Sequence, residues 1–249
     1  MTDREPLPPA RPHQKLTAEG RRMREVLSYT RRGSRFNARQ QLAWDTHAPL
    51  WWIADEEVDD PGFSVADRFG RAAPLIVEIG SGAGEATAAL AARRPECNVL
   101  AFEVWRPGVA DTLWRLAGAG ATNVRLLSVD AVWSMEHLLA PGSVHELWTF
   151  FPDPWPKKRH HKRRLVTPRF AALVASRLQP GGRWRLATDW PDYAAQMRQV
   201  LDAEPLLEGG PTPRWAARPL TRFERRGVAE GRPVTDLCYT RSGASTSSA

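Results

Sequence analysis

Five short, almost unbroken apolar runs, separated by segments of helical periodicity, constrain this chain more than any other feature of it. The runs are Leu75–Ile79, Val99–Glu103, Val124–Val129, Glu146–Phe151 and Trp184–Thr188. Each has the length of a strand and is apolar at successive rather than alternate positions, the pattern of a strand covered on both faces. Between and after them, Gly84–Arg93, Pro107–Ala117, Ala131–Leu139, Pro168–Leu178 and Asp192–Ala203 read as helices. Strand and helix in strict alternation predict parallel strands joined by right-handed crossovers, and so an α/β, Rossmann-like, doubly wound sheet with helices on both faces. Gly181-Gly182 predicts the turn into the fifth strand. Arg218–Thr221 and Val234–Arg241 are expected to add an antiparallel pair, which makes a mostly parallel sheet of seven strands.

The chain has 249 residues, enough for one such core with an arm to spare. Residues 1–20 carry prolines and charges without apolar periodicity and read as a disordered tail. Residues 21–60 form a basic N-terminal arm, the stretch 55–73 a loop into the first strand, 61–241 the main domain and 242–249 a second tail. No apolar run approaches the roughly 20 residues of a membrane span. The N-terminus has no apolar segment behind its basic residues, so a cytoplasmic protein is expected. Cys97 and Cys238 lack metal-site spacing; two reduced thiols and no metal are expected. Monomer and homodimer are both compatible with the sequence.

Charge adds a partner class. The formal net charge is +7. It is concentrated in an Arg/Lys-rich stretch between Arg4 and Arg39 and in the acid-free run Lys157–Arg164. Two basic blocks on a mixed background point to a polyanion.

The first apolar run leads directly into Gly80-Ser81-Gly82-Ala83-Gly84 and then a helix, a turn that lets a ligand approach backbone amides. Alone, that turn fits a dinucleotide equally well. The acids at the carboxyl ends of the strands discriminate: Glu78 in the first, Glu103 at the end of the second, Asp130 after the third, Asp153 past the fourth. Several carboxylates on one rim suit hydroxyls, an amino group and a sulfonium, and suit a pyrophosphate badly. The pattern therefore favours S-adenosylmethionine. Glu103 would accept from the ribose diol, Asp130 and the Ala131 amide would face the adenine, Glu78 would lie near the methionine amino group, and Gly80 and Gly82 would form the turn against the ligand.

The fourth run ends in Phe150-Phe151-Pro152-Asp153-Pro154-Trp155-Pro156, followed by Lys157-Lys158-Arg159-His160-His161-Lys162-Arg163-Arg164. Prolines on both sides of Asp153 fix its backbone. Trp155 is placed either to stack on a base or to cap the core.

The string FFPDPWPKKRHHKRR, with VEIGSGAGE upstream, ATDW and TRFERRG downstream and SYTRRGSR near the N-terminus, resembles the bacterial tRNA (guanine-N7)-methyltransferases over about Ser28 to Arg241. Pro156 departs from the pattern. The resemblance implies methyl transfer from S-adenosylmethionine to N7 of a variable-region guanosine in tRNA. It implies cofactor contacts from Glu78, Glu103, Asp130 and Asp153, with Asp153 also the catalytic-loop acid. It implies substrate contacts from Lys157, Asp189, Thr221, Arg222, Phe223 and Glu224, and RNA contacts from Arg159, His160, His161, Lys162, Arg163 and Arg164. On this reading Asp189 and Glu224 accept from the N1–H and N2 edge of guanine. Two rivals stand beside it: methylation of an exocyclic amino group or a small molecule, and a non-catalytic RNA-binding protein on the same fold.

Overall fold

The computed structural model describes residues 28–29, 33 and 35–243. The expected tail over residues 1–20, most of the tail at 242–249 and the first part of the expected arm lie outside the described residues. One seven-stranded sheet organises the rest, in the order β3-β2-β1-β4-β5-β7-β6. The strands are β1 (Leu75–Ile79), β2 (Asn98–Phe102), β3 (Val124–Leu127), β4 (Val144–Phe150), β5 (Leu178–Thr188), β6 (Leu207–Thr212) and β7 (Thr235–Arg241). The first five are parallel, and β7 is antiparallel to both β5 and β6. The Rossmann-like α/β class follows from this order.

Helices α3 (Glu85–Arg93), α4 (Arg106–Ala119), α5 (Ala131–Leu138), α6 (Pro168–Arg177) and α7 (Pro191–Asp202) follow β1 to β5 in turn. Two apolar cores lie on the two sheet faces. One gathers Val77, Leu100, Leu147, Phe170 and Trp184, and the other Ile76, Val99, Leu113, Leu126 and Trp148. Both core tryptophans satisfy their ring N–H inside the sheet, Trp148 on Glu146 (2.8 Å) and Trp184 on Thr149 (3.0 Å).

Helix α1 (Ala38–Trp51), within the expected arm, packs on the domain. Asn37 caps it in a reciprocal capping box with Gln40, and Trp51 packs inward with its ring N–H on the Ala121 carbonyl at 2.9 Å. Between α1 and β1, part of the expected loop forms a short helix α2 (Asp55–Val58) and a 3-10 turn at Asp67–Phe69. Gly181-Gly182 is no turn before a strand. It sits inside β5, where the pairing slips from Val144↔Leu178 to Glu146↔Arg183, and a side chain at Gly182 would press within 2.8 Å of the Gln179 carbonyl. The partner of β7 is β6, not the expected Arg218–Thr221. That segment instead leads into helix α8 (Arg222–Ala229), because Thr221 caps it through the Glu224 amide (3.2 Å). Cys97 and Cys238 are unpaired thiols. No helix among the described residues is long and apolar enough to cross a membrane.

Candidate active site

Strand β1 lies between β2 and β4, so the chain's winding direction reverses there. In an open α/β sheet the carboxyl ends of the strands flanking that reversal leave a crevice. A cavity of about 600 Å³ occupies it, reaching from the glycine turn after β1, past Glu103 and Asp130, to Phe151, Pro152 and Asp153 after β4.

The glycine turn is built from backbone geometry. Gly80, Gly82 and Gly84 have φ of 80°, 59° and 78°, in the left-handed region that favours glycine. Helix α4 presses on the turn from outside: a side chain at Gly108 would stand 2.4 Å from the Gly82 carbonyl and 2.7 Å from the Trp105 ring. Glu103 holds the same turn, accepting from the Gly82 amide at 2.7 Å and the Trp105 amide at 2.8 Å. Ser81 is buried on the cavity wall, and its hydroxyl has no hydrogen-bond partner among the described residues.

Glu78 lies at the floor with Thr87 donating to its carboxylate at 2.6 Å. Burial, aided by the nearby Glu103 charge and opposed by the Thr87 hydrogen bond, pushes its pKa up to about 7. Asp130 caps α5 by accepting from the Trp133 amide at 3.0 Å, which fixes it and the adjacent Ala131 on the cavity wall. A carboxylate oxygen that already accepts one hydrogen bond retains capacity for another, so the capping and turn-holding roles of Asp130 and Glu103 are compatible with ligand binding.

The loop after β4 is bracketed by two left-handed residues that are not glycine, Phe151 (φ 53°) and Trp155 (φ 47°). Such conformations cost on the order of 1–3 kcal/mol each and persist only where surrounding contacts enforce them. The contacts are explicit. The Phe151 amide donates to Ala187 of β5 at 2.7 Å. Trp155 donates from its ring to the Ser28 carbonyl at 3.0 Å, and Arg163 lies 3.7 Å over the same ring while donating to the Tyr29 carbonyl at 3.0 Å. Trp155 therefore neither caps the core nor stands open for a base; it fastens the residue 28–29 segment over the cavity. Asp153 between these fixed ends makes no hydrogen bond among the described residues and lines the cavity.

Beneath the loop, Arg218 is fully buried. It donates to Glu224 (2.8 Å) and Asp236 (2.8 Å), and its guanidinium lies 5.5 and 5.2 Å from the rings of Phe150 and Phe151. Arg214 takes the rest of Glu224 at 2.8 and 3.1 Å. Glu224, expected to read the base, is thus held by two arginines and lines no part of the cavity. Asp189 is likewise held away, accepting from Arg232 at 2.7 Å. Thr221, Arg222 and Phe223 do reach the cavity mouth, with the Phe223 ring 5.2 Å from Phe151 and the Arg222 amide hydrogen-bonded to Glu85.

The basic run folds into a 3-10 turn over Lys158–Arg163. Lys157, Lys158, Arg159 and Lys162 are exposed; His160 and His161 are half-buried, and His160 packs edge-on against Trp155. Lys157 lies outside the cavity wall. Arg164 departs from the RNA-contact expectation altogether, being buried and bonded on every side. Nothing in the sequence marks Arg164 or Arg218 as interior, because a buried arginine is recognisable only through partners distant in the chain.

A family model described as "Putative methyltransferase" matches residues 72–237. A tRNA (guanine-N(7)-)-methyltransferase of Nocardioides sp. is 70% identical over 236 residues, covering 95% of each chain. The chain belongs to the tRNA (guanine-N7)-methyltransferase family. A relative of the same name from Cutibacterium acnes is 50% identical over 232 residues, covering 88% of this chain and 84% of the relative. Among solved structures, that of the 16S rRNA methyltransferase KamB superposes with a TM-score of 0.53 at 20% identity, over 72% of this chain and 94% of that one, a likeness of fold. For a member of the tRNA (guanine-N7)-methyltransferase family the cavity has the right chemistry for S-adenosylmethionine. It offers a close-approach glycine turn, an unpartnered serine hydroxyl and carboxylates from three successive strand ends.

Proposed function

We propose that this chain transfers a methyl group from S-adenosylmethionine to N7 of a variable-region guanosine in tRNA. One observation carries the reading: Asp153, unbonded and clamped between two left-handed residues, faces the cavity that begins at the glycine turn. S-adenosylmethionine, when bound, supplies a methyl group made electrophilic by its sulfonium. Glu103 would accept from the ribose hydroxyls, Asp130 and the Ala131 amide would meet the adenine, and Glu78 would face the methionine amino group against the backbone of Gly80 and Gly82.

Guanine N7 carries an in-plane lone pair and no proton at neutral pH, so the protein has no proton to remove. Asp153 acts by accepting hydrogen bonds that orient the base. The rate then comes from alignment and from fixed dipoles rather than from general-base catalysis. Lys158, Arg159 and Lys162 on the adjoining turn would hold phosphates beside the reacting base, and Thr221, Arg222 and Phe223 would border it on the other side. A tRNA substrate supports a cytoplasmic site of action.

Incubation with methyl-labelled S-adenosylmethionine and unmodified tRNA, followed by nucleoside analysis, tests the reading. Label in N7-methylguanosine, with borohydride–aniline cleavage at one variable-region position, is the expected result. Label in an exocyclic-amino product, or none, overturns it.

A further inference from the structure

We infer that Arg164 is a positioning residue for methyl transfer: its buried guanidinium ties the main chain beside Asp153 to the helix that follows β5 and so holds Asp153 on the reacting base. The inference rests on the function proposed above. Its side chain is 1% exposed although it closes a basic run whose other members face solvent or the Trp155 ring. All three guanidinium nitrogens are bonded. Nε donates to the Pro154 carbonyl at 2.9 Å, Nη1 to Gln196 Oε1 at 2.6 Å, and Nη2 to Asp192 Oδ2 at 2.6 Å, with His161 Nε2 at 3.2 Å from Nη2. The face of the guanidinium rests 4.9 Å from the Tyr193 ring.

The Pro154 bond matters because the loop has so little else. Among the described residues it is the only hydrogen bond to the main chain of residues 152–156. Three prolines in that stretch, Pro152, Pro154 and Pro156, have no N–H to give, and the left-handed residues Phe151 and Trp155 make it a conformation that would relax if released. On the other side, Asp192, Tyr193 and Gln196 all lie on the first turns of α7, directly after Asp189 and Trp190. Arg164 therefore joins the loop following β4, which lines the cavity, to the start of α7 after β5. A lysine cannot replace it. The ammonium is a point donor, whereas the planar fork reaches a carbonyl, an amide oxygen and a carboxylate in three directions at once.

A merely structural arginine would be felt through its ion pair, and the geometry separates the two roles. Asp192→Asn removes the ion pair but leaves Nε on Pro154. Arg164→Lys keeps a cation beside Asp192 but loses Pro154. The measurements are kcat and KM for tRNA, the calorimetric Kd for S-adenosylmethionine and the melting temperature of the full chain. We expect Arg164→Lys to lower kcat by about tenfold or more, the scale of losses from misaligned reactants, with cofactor Kd within about twofold of wild type. Asp192→Asn should keep near-normal kcat at a similar loss of melting temperature. Equal kcat for the two variants, or losses of kcat that simply follow melting temperature, overturns the inference. Should Arg164→Lys fail to fold, Arg164→Gly assayed with and without millimolar guanidinium decides: restored turnover supports the role and unrestored turnover overturns it. A wild-type chain that leaves tRNA unmethylated overturns the proposed function and this inference together. Active wild type with equal variants overturns the inference alone.

Discussion

At the scale of single residues, the site rests on carboxylates in unlike environments. Asp153 has no bonded partner among the described residues, so its removal should cost the fold little while removing the group proposed to orient the base. Asp153→Ala is expected to melt within a few degrees of wild type and to lose roughly 100-fold or more in kcat, on the scale of other oriented polar groups at reacting centres. Near-normal turnover would refute the assignment. That Asp153, Glu103, Asp130 and Glu78 gather on one cavity was legible in the sequence, because the carboxyl ends of neighbouring strands share one rim. The ion pairs of Glu224, Asp189 and Arg164 were not. Each is a charged residue near the site in sequence, yet each is neutralised by a partner from elsewhere in the chain: Arg218, Arg232 and Asp192 respectively. Their exposure depends on tertiary pairing, which no local pattern encodes.

Among elements, the contact of α4 with the glycine turn and the basic 3-10 turn each yield a test. The contact at Gly108 leaves no room for a methyl group, since the nearest obstacles are a main-chain carbonyl and a tryptophan ring. Gly108→Ala should displace the turn and weaken S-adenosylmethionine binding by about tenfold or more, about 1.4 kcal/mol, in a chain that still folds. Calorimetric titration checks this, and unaltered affinity would mean that the turn is not the cofactor's cradle. Neutralising Lys158, Arg159 and Lys162 together removes exposed charge without touching Trp155 or Arg164. The KM for tRNA should rise, and its logarithmic salt dependence should flatten by roughly 2 to 3 units of slope, at about 0.7–0.9 per lost phosphate contact. An unchanged slope would show that RNA is held elsewhere. The first four strands and helices α3 to α7 were read within two residues, since burial on both sheet faces leaves a strong apolar signature, whereas β5 starts six residues earlier than read, at Leu178, and α1 and β6 were not read. Errors came where backbone chemistry overrode it: the Thr221 cap turned an expected strand into α8, and the β5 bulge absorbed a glycine pair expected to be a turn.

For the molecule as a whole, Glu78 links stability to pH. Its folded-state pKa near 7 lies above the ordinary 4.5, so the protonated form is favoured by folding. Its contribution is fully present below about 4.5 and is lost as pH rises through about 7, a difference on the order of 3 kcal/mol across that window. Glu78→Gln, which still accepts from Thr87, should therefore melt progressively higher than wild type between pH 5 and pH 8, measured without ligand. Parallel melting curves for the two proteins would place the Glu78 pKa at its ordinary value. A bound cation beside Glu78 should restore ionisation, so cofactor binding near pH 7 should release protons from wild type and not from Glu78→Gln, read from calorimetry in buffers of different ionisation enthalpy.

The sheet order has a consequence for how the protein is made. β7 comes last in the chain yet lies inside the sheet, between β5 and β6, and carries the Asp236 that pairs with Arg218 under the Asp153 loop. During synthesis the first five strands can assemble as they leave the ribosome. β5 and β6, however, wait with bare edges, and Arg218 waits for one of its two counter-charges, until the closing segment emerges. A nascent chain halted before Asp236 would hold the glycine turn proposed for the methyl donor and still lack a settled support for the Asp153 loop, so premature products should be inert and prone to edge-to-edge association rather than partly competent.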